Sequence, residues 1–425
     1  MKNPSKHIGN ELKYLEKVLN QESWSSTGGS WVNNFEKEFA KRFNMNYAIA
    51  TNSGTATLHA ALEAVGVLPG DEVIVPPLSV VMSTTSVLHA NAIPVYADVD
   101  LQTFNLDPED VLKKITKKTK AIVPVAIYGL PANLCELRKI ADKNNIALIE
   151  DNAQCVLGEA PCINELKNPV DECDECGGSD NLKSKLSGTF GDFSSYSFEN
   201  TKHLSCGEGG LLLTNDELLA EKARKIAGHG FKNLRAEEGR VRLRQEIFQN
   251  PNYLRHDMLG WNYRMPEFNA AIVLAQFERI DELVDLRIKN AEIFLEVLEK
   301  YDFFIPQHIP NGYVHSYYTL GVVYDGEKDT GVPWNKIRKN YVDNGGDGIY
   351  SAWAVTYNEP VIKEGQFKKR YPEIYNKLNL SSQRCKNAEF LQKRIMQFKT
   401  NYRDIDLAYK KAKILKKTLK DLFGH

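Results

Sequence analysis

Lys202 stands in Ser197-Phe198-Glu199-Asn200-Thr201-Lys202-His203, just before Gly207-Glu208-Gly209-Gly210 and the apolar run Leu211-Leu212-Leu213. A lysine beside a glycine-rich reversal has little side-chain freedom. Where water is excluded, its neutral amine can form a Schiff base with a carbonyl compound and shuttle protons. Upstream, Ile149-Glu150-Asp151-Asn152-Ala153-Gln154 puts Asp151 just past a buried apolar strand, where it can pair with a protonated ring nitrogen. Glu150 points to the opposite face if that strand persists. Ser53-Gly54-Thr55 follows a strand and opens a helix, so the N–H groups of small residues can approach a dianion at a positive helix terminus. Read singly, these are a helix cap, a strand-end turn former and a solvated lysine. Read together, they offer an amine for a carbonyl, an acid for a ring nitrogen and a cradle for a phosphate. Those are the contacts that pyridoxal 5'-phosphate asks of a protein. The glycine tetrad lacks the spacing and the strand-to-helix context of a dinucleotide fingerprint.

The elements that must position these residues alternate. Strands are expected at 47–50, 72–75, 94–97, 121–128, 147–150 and 211–213, and helices at 56–65, 83–90, 107–115 and 134–144. Such alternation predicts an α/β fold with a mostly parallel sheet covered by helices on both faces. Ligands of these sheets sit beyond the carboxyl ends of the strands, where Ser53-Gly54-Thr55 and Asp151 fall. Past residue 250 the texture changes to a long helical pattern over 266–299. A strand at 317–323, a loop-rich stretch over 325–368 and a closing helix over 404–422 follow. The expected division is a large domain over residues 1–250, with an N-terminal arm over 1–30, and a smaller α+β domain over 251–425.

With 425 residues the chain exceeds one small core and suits two units. The 42% hydrophobic and 26% charged composition fits a globular protein, and the net charge of -1 offers no field for nucleic acid or an anionic membrane. The apolar run 121–130 is too short to span a bilayer, and the first twenty residues lack the apolar stretch of an export signal. Seven cysteines in this length do not suggest a disulfide framework, so a reduced, cytoplasmic protein is expected.

The ordered set Ser53-Gly54-Thr55, Gly70-Asp71-Glu72-Val73-Ile74, Glu150 to Gln154, Gly188-Thr189-Phe190-Gly191-Asp192, Ser197 to Lys202, Gly207 to Gly210 and Gly260-Trp261-Asn262-Tyr263-Arg264-Met265 resembles the DegT/DnrJ/EryC1/StrS sugar aminotransferases. The resemblance runs from about Trp31 to Asn269. It implies a fold-type I enzyme that depends on pyridoxal 5'-phosphate and works as a homodimer with shared active sites. On matching positions it implies that Lys202 holds the cofactor and Asp151 pairs with its ring nitrogen. Gln154 then lies near the phenolic oxygen, Ser53, Gly54, Thr55 and Ser197 at the phosphate, and Asn262 reaches the partner's phosphate. The implied reaction moves an amino group from an amino acid, L-glutamate, to a keto-sugar such as a nucleotide-linked 3- or 4-keto sugar. A keto-inositol acceptor is the alternative. A sugar dehydratase is the rival within the same chemistry; relatives of that kind carry His where this chain has Lys202 followed by His203.

Two departures stand out. Val80 takes a position where the family places an aromatic ring against the cofactor, forgoing stacking worth about 1 kcal/mol. A polar segment over 155–187 is longer than usual and carries Cys162, Cys173 and Cys176. The last two form a CxxC pair, so three thiolates are available to zinc, but no fourth ligand is evident. Trp24, Tyr317, Tyr350 and Trp353 are the aromatics available to an acceptor site, or to ordinary packing.

Overall fold

The structure, a computed structural model, describes residues 9–161, 184–240 and 243–424. Cys162, Cys173 and Cys176 lie outside the described residues. A seven-stranded sheet forms the larger layer, built from β1 (Tyr47–Thr51), β2 (Glu72–Val75), β3 (Ile93–Tyr96), β4 (Thr119–Ile122), β5 (Ala147–Asp151), β6 (Phe193–Ser197) and β7 (Gly210–Thr214). Its order is β1-β7-β6-β5-β4-β2-β3. The run from β3 to β6 is parallel, and β7 pairs antiparallel with both β6 and β1.

Burial on both faces explains why runs such as those in β2 and β5 place apolar residues at successive positions. In β5, Ile149 packs into the core on one face and Leu148 into the core on the other; Val73 and Ile74 of β2 divide in the same way. Helices supply the covering: α1 (Glu11–Leu19), α2 (Trp31–Arg42), α3 (Gly54–Ala64), α4 (Met82–His89), α5 (Pro108–Lys114), α6 (Leu134–Asn144) and α7 (Glu217–Ala227). Beyond them come α8 (Glu267–Phe277), α9 (Ile280–Leu298) and the last helix, α10 (Ile405–Phe423). A second, four-stranded sheet contains β8 (Phe304–Pro306), β9 (Leu320–Tyr324), β10 (Tyr350–Ser351) and β11 (Ile395–Phe398) in the order β8-β9-β11-β10, all antiparallel. α9 and α10 pack together over a core that includes Phe294, Leu298, Val322, Met396 and Leu415.

Four local expectations are adjusted. The strand expected over 121–128 stops at Ile122, because Pro124 has no N–H for the ladder and Tyr128 turns to a φ of 61°. The helical pattern over 266–299 divides at Arg279, which leaves helical geometry (φ -122°, ψ 26°) while its guanidinium pairs with the buried Glu11 of α1 at 2.9 Å. The strand expected over 317–323 begins at Leu320, since Tyr317 is left-handed with a φ of 47°. The loop-rich stretch over 325–368 includes a ten-residue helix, Trp334–Asp343. Among the described residues no helix is long and apolar enough to cross a membrane.

Candidate active site

A cavity of about 300 Å³ opens at the carboxyl ends of β1, β5 and β6. Its wall brings together Ser53, Gly54, Thr55, Val80, Asp151, Gln154, Ser197 and Lys202, which are separated by up to 149 positions in the chain. One end is made by the start of α3. Ser53 caps it, its Oγ accepting the Ala56 N–H at 3.1 Å. The first N–H groups of the helix have no partner inside it, and Gly54 and Thr55, which carry them, line the cavity. Two glycines let this terminus lie against the sheet. A Cβ on Gly54 would stand 2.9 Å from that of Ser197 at the end of β6, and one on Gly210 would stand 2.4 Å from the Ser53 carbonyl oxygen.

The adjacent carboxylates at the end of β5 have different fates. Glu150 turns away from the cavity and accepts the N–H groups of Gly188, Phe190 and Gly191 at 2.6, 2.8 and 2.7 Å, tying down the loop that enters β6. Asp151 lines the cavity and receives the Ala153 N–H at 3.1 Å. Burial raises the pKa of Asp151 above its ordinary value; the Ala153 N–H and the charge of Lys202 act in the opposite direction. A buried carboxylate with so few donors is matched by a cation, and a protonated ring nitrogen is such a cation. Gln154 is oriented by the turn that ended β4: the Tyr128 N–H donates to its Oε1 at 2.8 Å, leaving its NH₂ group to donate.

Lys202 forms the other end. Its Nζ lies 4.4 Å from the centre of the Tyr318 ring. Beneath it, the buried Arg287 of α9 donates to the carbonyl oxygens of Thr201, Lys202 and Tyr318 at 2.6, 2.7 and 2.8 Å. Burial, and then the charge of Arg403, push the pKa of Arg287 down to about 9. His203 is turned into the core, where its Nε2 bonds the Ser316 carbonyl at 2.8 Å; burial, then the Arg287 charge, push its pKa well below the ordinary value. Lysine, not the neighbouring histidine, therefore faces the cavity.

Residues 6–394 match the family described as DegT/DnrJ/EryC1/StrS aminotransferases. The chain belongs to that family. It is 32% identical over 319 residues to GDP-perosamine synthase of Vibrio cholerae, covering 75% of this chain and 76% of the relative. It is also 32% identical over 315 residues to L-glutamine:2-deoxy-scyllo-inosose aminotransferase of Streptomyces kanamyceticus, covering 72% and 66%. Among solved structures, the aminotransferase from Psychrobacter cryohalolentis superposes with a TM-score of 0.79 at 26% identity, covering 100% of this chain and 98% of that one.

Within this family fold, Asn262 lies exposed on the surface and does not line the cavity. Its backbone bridges to Gly228, and its carbonyl accepts from the Asn52 side chain at 3.3 Å. Of the four aromatics named above, Trp353 lines the cavity, stacked at 6.4 Å and 28° on Tyr128. Tyr317 is packed face to face on His315 at 3.8 Å, Trp24 meets the edge of Phe268, and Tyr350 is exposed. Val80 does line the cavity, so its aromatic surface comes instead from Tyr318 and Trp353. Glu199, Glu208, Met82, Ser83 and Tyr318 are lining residues that sequence reasoning passed over. Glu199 and Glu208 sit inside motifs that had been singled out; Tyr318 had no local signal, being 116 positions from Lys202.

Proposed function

We propose that this chain is an aminotransferase that uses pyridoxal 5'-phosphate to move an amino group from L-glutamate to a nucleotide-linked 3- or 4-keto sugar. The observation that carries the reading is one cavity in which Lys202, Asp151 and the amino end of α3 converge, in a member of an aminotransferase family. When bound, the cofactor supplies an electrophilic carbonyl carbon and an electron-withdrawing ring.

In this reading Gly54, Thr55, Ser53 and Ser197 hold the phosphate through backbone N–H and hydroxyl groups, helped by the dipole of α3. Asp151 keeps the ring nitrogen protonated, and Gln154 donates from its NH₂ group to the phenolic oxygen. Lys202 holds the cofactor covalently. Its amine, when free, would remove the proton from the donor's α-carbon as a general base and return a proton as a general acid. Val80 and Trp353 exclude water from the ring.

The cradle contains no lysine or arginine among the described lining residues other than Lys202. A dianion there gains from a second subunit, and Asn262 on the exposed surface is the residue proposed to reach the partner's phosphate. Leu254, Leu259 and Trp261 beside it are exposed by 76%, 82% and 41%, an apolar surface suited to a homodimer. Among the described residues the thiols of Cys155, Cys206 and Cys385 are free and buried, which supports a reduced, cytoplasmic setting, and residues 1–250 and 251–425 form the proposed cofactor-binding and smaller domains. A keto-inositol acceptor is the second reading, favoured by the likeness to the inosose aminotransferase.

The test is to incubate the cofactor-loaded protein with L-glutamate and separate panels of nucleotide keto-sugars and keto-inositols, reading amino product by mass. Amino-sugar in the first panel is the expected result. Product only in the second moves the acceptor class. A dehydrated, nitrogen-free sugar overturns the transferase reading.

A further inference from the structure

The wall beside Lys202 contains a hydroxyl chain whose proton order is fixed by its end. Glu199 Oε2 accepts both the backbone N–H and the side-chain hydroxyl of Thr201, at 2.9 and 2.6 Å. A threonine hydroxyl has one proton, so once it is given to Glu199 the oxygen can only accept. The Tyr318 hydroxyl, 2.9 Å from Thr201 Oγ1, is therefore the donor in that contact. Its single proton is committed away from Lys202, while the face of its ring lies 4.4 Å from Lys202 Nζ. The two ends cannot drift apart, since Arg287 grips the carbonyls of Thr201, Lys202 and Tyr318 at once.

We propose that Glu199, Thr201 and Tyr318 act as one positioning unit for Lys202, in which the negative charge of Glu199 polarises Tyr318 through Thr201 and so holds the Lys202 side chain against its ring face. Aligned hydroxyls strengthen one another, and an electron-enriched phenol attracts a cation at its ring face. The other charged or titratable groups facing this lysine are Asp151 and Glu208 on the cavity wall, with His203 and Arg287 behind it. Asp151 is needed by the cofactor's ring nitrogen, which leaves the Glu199 chain to tune the amine independently. Tyr318 is a positioning residue here, acting on Lys202 and on no substrate atom.

The proposal builds on Lys202 being the reactive amine, but its test does not require turnover. In cofactor-free protein, Lys202 is labelled with acetic anhydride across a pH series, and its modification is quantified by peptide mass spectrometry. An amine held against the ring is less open to the reagent, so releasing it speeds labelling at a given pH. Glu199→Gln and Tyr318→Phe are each expected to raise the rate at mildly alkaline pH by about threefold. The double variant is expected to go no further, because both changes break the same chain. Thr201→Ser keeps the hydroxyl and is expected to match the unaltered protein, whereas Thr201→Val is expected to match Glu199→Gln. Labelling profiles of Glu199→Gln and Tyr318→Phe that superimpose on the unaltered protein, or effects that simply add in the double variant, overturn the proposal. Failure of the amination assay with these labelling shifts intact would reject the functional reading and leave the positioning unit standing.

Discussion

The two ends of the cavity are built on different principles. At one end the start of α3 meets β6 and β7 through backbone, with Gly54 and Gly210 permitting contacts that any side chain would obstruct. At the other, Lys202 sits on a turn, and its place is set by side chains from distant segments: Arg287 from α9 and Tyr318 from the approach to β9. A backbone cradle is fixed as soon as the sheet forms. A side-chain scaffold has to be assembled from three parts of the chain, and it can be adjusted one residue at a time.

Breaking the lysine end should have the larger consequence. Lys202→Ala is expected to lower amination by about a thousandfold or more, with cofactor still bound but released by denaturation even after borohydride treatment. Asp151→Asn, between the two ends, is expected to cost about a hundredfold in turnover by removing the charge opposite the ring nitrogen. In its cofactor-free form this variant should be the more stable one at neutral pH. The folded-state pKa of Asp151 is raised, so its contribution to stability is present below the usual carboxylate value and is lost as pH rises through the raised one. A thermal midpoint below that of the unaltered protein would contradict this account.

Gly54→Ala tests the backbone end. A Cβ 2.9 Å from Ser197 forces a small shift, expected to weaken cofactor binding about tenfold, or about 1.4 kcal/mol, without changing Lys202 labelling. Arg287→Lys keeps the charge but cannot bond three carbonyls together, and should change Lys202 labelling while leaving the phosphate end intact, at a stability cost of about 2 kcal/mol. The last effect concerns acid. His315 accepts the Tyr317 N–H at Nδ1 and donates from Nε2 to Gln307 Oε1, and burial pushes its pKa from 6.5 down to about 3. The unfolded chain binds the proton more readily, so stability falls as pH drops below 6.5, by about 1.4 kcal/mol per unit until the folded-state value is reached. His203 adds to the same slope. Replacing His315 with Gln should flatten the fall in thermal midpoint between neutral and mildly acidic pH; an unchanged slope would remove His315 from this account.

The backbone end was legible in the sequence because its chemistry is local. Ser53-Gly54-Thr55 is at once a strand end, a turn and a helix cap, and Asp151 to Gln154 follows a run whose burial is plain from its composition. The parallel sheet could be read for the same reason: each strand and its helix are neighbours in the chain. The lysine end was only half legible. Lys202 announced itself by the glycines after it, but Arg287 lies in a helical pattern where a charged residue ordinarily marks the solvated face. Here that side chain points inward and spends its protons on carbonyls 85, 86 and 31 positions away. The stop at Arg279, which divides one apolar pattern into two helices, has neither proline nor glycine to signal it and coincides with an ion pair to the distant Glu11.

Arg287 also gives α9 a mechanical role. The same helix uses Asn290, one turn further on, to donate to the carbonyls of Thr400 and Tyr402, just after β11 of the smaller sheet. One helix is thus fastened at one point to the turn bearing Lys202 and at the next to the strand that ends the other layer. A tilt of the smaller sheet would, through these bonds, bear on the turn that carries Lys202. The far half of the molecule holds the lever, and the amine is its load.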